Sequence, residues 1–257
     1  MKKVHFTHEY LLNPYHPLSV YVIGAGGTGS QVVTALARID CSLRTLGHKG
    51  MHVTVFDDDI VTEANLGRQL FTPMETGCNK ADVLVTRVNR FFGLGWDSMP
   101  CRYPGKGADD AANIIISCVD NAKARVKIGK KLRTYRETEG DDRKMLYYWL
   151  DFGNTADTGQ AVLGTLKKLK QPKSKDAEPV GKLPCIDELF DLSSVKEKDS
   201  GPSCSLAEAL EKQDLFINST LANLGCNLIW KLITNGSVEY NGLFLNLRNM
   251  KTNPINL

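Results

Sequence analysis

Residues 24–30 read Gly-Ala-Gly-Gly-Thr-Gly-Ser, with Gly24, Gly26, Gly27 and Gly29 closely spaced and Ser30 after them. The β-branched run 19–23 (SVYVI) precedes this turn, and apolar positions at Val32, Val33, Leu36 and Ile39 follow it at helical spacing. Glycines let a backbone approach phosphate oxygens closely, and a helix start offers unpaired N–H groups and a positive dipole end. The same turn can merely pack a strand on a helix, but its place between strand and helix favours a nucleotide. Which nucleotide stays open at this point. Dinucleotide-binding turns place an acidic residue about 20 residues on, whereas the acids here, Asp57, Asp58 and Asp59, come later.

These residues need a scaffold. A second strand is predicted over 51–56 (MHVTVF), a helix over 80–92, a weaker strand near 97–103, and a fully buried strand over 113–119 (NIIISCV) that ends at Asp120. Strands alternating with helices imply right-handed crossovers and a parallel sheet. Strands follow over 145–151 and 160–166. Residues 167–203 are rich in lysine and proline and read as a mobile crossing segment. Helical periodicity resumes over 205–233, and 242–247 (GLFLNL) reads as a last strand.

The fold class predicted is therefore α/β, a Rossmann-like doubly wound, mainly parallel sheet with antiparallel C-terminal strands. One domain is expected over 1–257: a nucleotide-binding core at about 19–165, the crossing segment 167–203, and C-terminal helices and strand over 204–257. A net charge of +3 with 24% charged residues argues against nucleic acid as a partner. No apolar run reaches the ~20 residues of a membrane helix, so a cytoplasmic, membrane-free protein is expected. Seven cysteines include no CxxC pair, and reduced thiols are the default.

The segment Asp57-Asp58-Asp59-Ile60-Val61-Thr62-Glu63-Ala64-Asn65-Leu66-Gly67-Arg68-Gln69 resembles the DxDxVxxxNLxRQ signature of the ThiF/MoeB/HesA and ubiquitin-activating enzyme superfamily. Lys80 in TGCNKA is similar to that family's GxxKA lysine, and Val119-Asp120-Asn121 with Arg125 is similar to its DNxxxR element. The resemblance covers nearly the whole chain from residue 19. Within the superfamily, HFTHEYLLNPYHPLS, NLGRQLF and CSLAEALEKQDLFINSTLANLGC resemble the ThiF-family proteins of PRTRC cassettes.

The resemblance implies adenylation: ATP and Mg²⁺ activate the C-terminal carboxylate of a small ubiquitin-like, β-grasp protein ending in glycine, and pyrophosphate leaves. Such a carboxylate is already ionised at neutral pH, so the site must supply positioning and positive charge rather than a base. Asp57 is placed to accept hydrogen bonds from ribose hydroxyls, with Asp59 and Asn121 beside the nucleotide. Asn65, Arg68 and Gln69 can donate to phosphate oxygens, and Lys80 can stabilise charge developing on the α-phosphate. Asp120 is the expected magnesium ligand. Arg125 reads equally well as structural.

Two departures stand out. MoeB-type relatives carry an N-terminal arginine that reaches across a dimer, and none occurs here before Arg38; Lys2, Lys3, His5, His8 or His16 could substitute, although simple packing is the favoured reading. Glu188 stands where the second cysteine of a zinc-binding pair would follow Cys185, so no zinc is expected. An inert thiol is the expectation for both Cys185 and Cys204. A homodimer is expected, with the apolar helix 215–233 as its surface. The alternatives are a NAD(P)-binding oxidoreductase, which leaves residues 65–69 unexplained, and a catalytically weakened ATP-binding scaffold.

Overall fold

The computed structural model describes residues 1–103, 112–134, 141–192, 207 and 211–257. Strands β1 (Lys2–Phe6) and β2 (Leu18–Ile23) flank the short helix α1 (Glu9–Leu12). Helix α2 (Gly27–Thr45), β3 (Met51–Phe56), α3 (Lys80–Phe92), β4 (Asp97–Met99), β5 (Ile114–Ser117) and α4 (Ala122–Arg133) follow in order. Next come β6 (Tyr148–Asn154), β7 (Thr158–Thr165), β8 (Ala177–Pro179) and the short α5 (Ile186–Leu189). The C-terminal helix Ile217–Thr234 leads to β9 (Ser237–Val238), β10 (Tyr240–Asn246) and β11 (Lys251–Asn256).

An eight-stranded sheet runs in the order β11-β10-β7-β6-β5-β2-β3-β4. Strands β4, β3, β2, β5 and β6 are mutually parallel, whereas β7, β10 and β11 add on antiparallel. The apolar runs explain the layering. Val20 and Val22 of β2 face one core with α2 and the C-terminal helix, while Tyr21 and Ile23 face a second core with α4 and α5. A strand buried on both faces has no polar side to show, which is why these segments read as continuous apolar runs.

Local chemistry sets the ends of α3. Asn79 caps it by accepting from the Asp82 amide at 3.1 Å, and Gly93 stops it in the left-handed conformation at φ 68°. The bounds Lys80–Phe92 coincide with those predicted. Elsewhere the strands differ: the predicted 145–151 and 160–166 lie at Tyr148–Asn154 and Thr158–Thr165, and the weak strand shortens to Asp97–Met99. The C-terminal edge holds two strands where one was expected, because the polar, proline-containing run KTNPIN carries no apolar alternation to betray β11.

Two expectations need larger correction. Over its described part, the crossing segment is held by paired structure rather than mobile: β8 pairs with β1, and Cys185 is fully buried. The dimer surface assigned to 215–233 is mostly spent inside this chain, since Ile217, Leu221, Ile229 and Leu232 are buried against α2 and β7. Leu215 and Phe216 remain exposed.

His5 joins the small sheet β8-β1-β9 to the main one. It is fully buried, with Nδ1 2.6 Å from the Val180 carbonyl and Nε2 2.8 Å from the Tyr148 hydroxyl. That arrangement suits a neutral ring donating from Nδ1 and accepting at Nε2. Burial pushes its pKa below the ordinary 6.5, against the pull of the Val180 carbonyl. The unfolded chain therefore binds the proton more readily, so this contribution is complete above pH 6.5 and is lost as pH falls below it. The thermal midpoint should drop between pH 7.5 and 5.5, and His5→Gln should drop less over the same range. Equal slopes in calorimetry would refute this coupling.

Candidate functional site

A cavity of about 720 Å³ opens at the C-terminal ends of β2, β3 and β5. Connections leave β2 toward β3 and β4 on one side and β5 toward β6 on the other, so the cavity sits where the strand order reverses. The glycine turn forms its floor. Gly24 adopts φ 94°, and a Cβ there would stand 2.8 Å from the Cys118 carbonyl; at Gly29 a Cβ would fall 1.9 Å from the Gly24 carbonyl. The turn closes only with glycine at both places. No side chain caps α2 at Gly26, so its first amides are left for a ligand or water.

Gly24, Gly26, Gly27, Asp57, Asp59, Arg68, Gln69, Lys80, Asp120, Asn121 and Arg125 all line this cavity. Gly29, Ser30 and Asn65 do not. Ser30 braces the turn instead, donating to the Gly27 carbonyl at 3.0 Å and accepting from the Leu70 amide at 3.3 Å. Asn65 is buried in a capping box, its carboxamide oxygen accepting from the amide and hydroxyl of Thr62.

Asp57 accepts from the Ala25 amide at 2.5 Å and the Asp59 amide at 2.8 Å. Burial raises its pKa, opposed by those amides and by Lys80. Lys80, almost wholly buried, donates to Asp59 at 2.9 Å. Asn79 holds the acidic loop by donating to the carbonyls of Asp57 and Asp59. The carboxylates of Asp57, Asp58 and Asp59 lie within 4.8 Å of one another. Asp120 is exposed at the rim, where Asn121 donates to it at 3.0 Å while capping α4 through the Ala124 amide.

Arg68 and Gln69 supply the clearest sign of a ligand. Arg68 Nε and Gln69 Oε1 are buried without a hydrogen-bond partner among the described residues, and burial alone lowers the Arg68 pKa. An unpaired buried guanidinium nitrogen, a buried lysine and an uncapped helix start fit phosphate oxygens. Carboxylates on the facing loops fit ribose hydroxyls and a hard divalent cation.

Arg125 has a different place. It is buried against Asp151, with Nε 3.0 Å from Oδ2, and Nη2 donates to the carbonyls of Val119 and Phe152 at 2.6 and 2.7 Å. Ser117 donates to the same carboxylate at 2.5 Å and accepts from Trp149 at 2.7 Å. Both Nε and Nη2 of this guanidinium are bonded to the protein, which makes Arg125 a structural residue under the cavity.

Residues 6–254 match the ThiF family. The chain belongs to the ThiF family. Ubiquitin-like modifier-activating enzyme 5 of Arabidopsis thaliana is 26% identical over 171 residues, 59% of this chain and 35% of that protein. Its Culex quinquefasciatus counterpart is 29% identical over 126 residues, 43% of this chain and 30% of that protein. The chain thus spans about a third of the length of the curated relatives it matches. Among solved structures, Escherichia coli MccB superposes with a TM-score of 0.61 at 17% identity, covering 96% of this chain and 63% of that one. MccB crystallised with ATP gives 0.57 at 15% identity. These likenesses speak for the fold.

This ThiF-family chain keeps its N-terminal segment away from the cavity: His5 is buried as described, and Lys2 pairs with Glu239 at 2.5 Å. Cys185 is packed against Gly164, where a Cβ would meet Sγ at 2.5 Å, and burial pushes its thiol up to about 12. Glu188 caps the Cys185 amide at 2.7 Å and pairs with Lys182 at 3.1 Å. Cys204 lies outside the described residues. Thr28, within the glycine turn, and Asn154, Gln213 and Asn218 also line the cavity; all are uncharged, and sequence reasoning assigns them no site role. No helix among the described residues is long and apolar enough to cross a membrane.

Two outcomes are expected. Arg125→Ala strands the buried Asp151 and should cost about 3–5 kcal/mol of stability, read from urea unfolding; a loss below about 1 kcal/mol would refute the structural assignment. Cys185 should resist a thiol reagent in the native protein and react once the protein is unfolded.

Proposed function

We propose that the chain is an adenylating domain that uses ATP and Mg²⁺ to activate the C-terminal carboxylate of a small ubiquitin-like, β-grasp protein ending in glycine. All of 1–257 works as one such domain, homodimeric and cytoplasmic as expected from sequence, of the PRTRC type that its phrases resemble. The observation that carries the proposal is the meeting of Arg68, Lys80, the open start of α2, Asp57 and Asp120 in one cavity. Family membership and the likeness to proteins named for activating ubiquitin-like modifiers support it.

The chemistry balances without a general base. An oxygen of the ionised carboxylate forms a bond to the α-phosphorus, the bond from that phosphorus to the bridging oxygen breaks, and pyrophosphate departs with the electron pair. Arg68 and Lys80 bind the phosphates, and Lys80 holds the compact charge best suited to the α-phosphate as negative charge builds there. Asp57 orients the ribose by accepting from its hydroxyls. Magnesium, when bound, would neutralise phosphate charge, and Asp120 is the residue that would hold it, with Asp59 and Asn121 beside the nucleotide. Since Lys80 is paired with Asp59, phosphate binding exchanges one anionic partner for another. An NAD(P)-binding oxidoreductase would leave the signature residues 65–69 unexplained.

ATP–pyrophosphate exchange dependent on the cognate partner tests this reading. Asp120→Ala should abolish exchange, and added magnesium should restore little. Lys80→Ala should lower turnover by roughly 10²–10³ with a smaller loss of nucleotide affinity, and Lys80→Arg should not recover fully. Wild-type exchange in either alanine variant would overturn the assignments. ATP binding without exchange in the unaltered protein would leave the scaffold reading.

A further inference from the structure

Gln213 stands just before the C-terminal helix and outside the glycine turn and the DxDxVxxxNLxRQ, GxxKA and DNxxxR elements, yet it is a three-way junction. Its carboxamide oxygen accepts from Arg68 Nη1 at 2.5 Å and from Asn218 Nδ2 at 3.0 Å, and its nitrogen donates to the Thr155 carbonyl at 3.3 Å. Those contacts fix which end of the amide faces Arg68. They join the loop after β3, the turn between β6 and β7, and the C-terminal helix.

The chain of contacts continues to the glycine turn. Asn218 is 2% exposed, and its oxygen accepts from the Thr28 hydroxyl at 2.9 Å and from Asn154 at 3.4 Å. Its carboxamide lies where a Cβ on Gly27 would come within 2.8 Å. A continuous path therefore runs from the first turn of α2 through Asn218 and Gln213 to Arg68.

Arg68 needs such support. It sits outside any helix or strand, next to Gly67 at φ 77°, and a long side chain on a loop samples many rotamers. No ion pair holds it among the described residues, and Nη1 to Gln213 is its side-chain hydrogen bond there. A neutral acceptor can orient a guanidinium without cancelling its charge; a carboxylate in the same place would claim that charge for the protein.

We infer that Gln213 is a positioning residue that aims Arg68 at the phosphates of the bound nucleotide and, through Asn218, ties it to the glycine turn. This rests on the adenylation reading. Its role is to preserve a free positive charge while fixing its direction, so its effect should follow the phosphates of the ligand and should vanish without Arg68.

Calorimetric titration of the full chain with ATP and with adenosine separates this role from simple packing. Gln213→Glu should weaken ATP by roughly tenfold or more while leaving adenosine within about twofold, because the new carboxylate neutralises Arg68. Gln213→Ala should weaken ATP less, in the same selective way. In an Arg68→Ala background, Gln213→Glu should change ATP affinity by no more than about twofold. The inference fails if Gln213→Glu binds ATP as the unaltered protein does, if adenosine weakens equally, or if the full effect persists without Arg68. Should Gln213→Glu lower the thermal midpoint so far that it cannot be titrated, Gln213→Ala decides by the same ATP-to-adenosine comparison. An unaltered protein that binds no ATP overturns the adenylation reading and this inference together; ATP binding that Gln213→Glu leaves untouched overturns this inference alone.

Discussion

Burying Arg125 against Asp151 removes two charges from water, a cost that their attraction alone need not offset. What makes the pair tenable is completeness. The carboxylate also accepts from Ser117, and the guanidinium also donates to the Val119 and Phe152 carbonyls. Burial still raises the Asp151 pKa, with Arg125 and Ser117 pulling the other way. The cavity depends on this cluster because it fastens the end of β5 and the start of α4 to β6. Asp120 and Asn121 leave the sheet between those anchored points, so their place at the rim follows from a contact beneath it.

The cavity itself brings both signs of charge together without mixing their tasks. Lys80 is buried and already paired with an exposed acid, whereas Arg68 is oriented by neutral amides. One cation is thus held in reserve by a carboxylate that solvent can reach, and the other is left uncompensated. A polyanion entering such a site displaces little from Arg68 and must compete at Lys80. Affinity and turnover can then depend on different cations of the same cleft.

The glycine turn and α3 were legible because short-range chemistry determines them: positive φ at Gly24, close approach at Gly29, an Asn79 cap and a Gly93 stop. The parallel strands were legible as apolar runs buried on both faces. Arg125 stayed ambiguous because sequence shows a charge without showing what lies under it. The order in residues 167–192 was hidden for a related reason. Its lysines and prolines look like solvated linker, while the contacts that hold it, β1 with β8 and Cys185 against Gly164, join positions distant in sequence or pack side chains on bare backbone. Gln213 and Asn218 were missed because neutral amides acquire meaning only from their neighbours.

Position in the sheet also grades how readily each strand opens. Strand β2 is paired on both sides, and five of its six residues are buried, so its amides can exchange with solvent only when most of the molecule unfolds. Strand β11 is paired only with β10 in the described sheet, and five of its six residues are exposed. Its amides can open by fraying, with little apolar surface to re-cover. The C-terminal edge can therefore breathe on a timescale of its own while the glycine turn at the end of β2 keeps its shape, a separation of slow and fast regions built into the strand order.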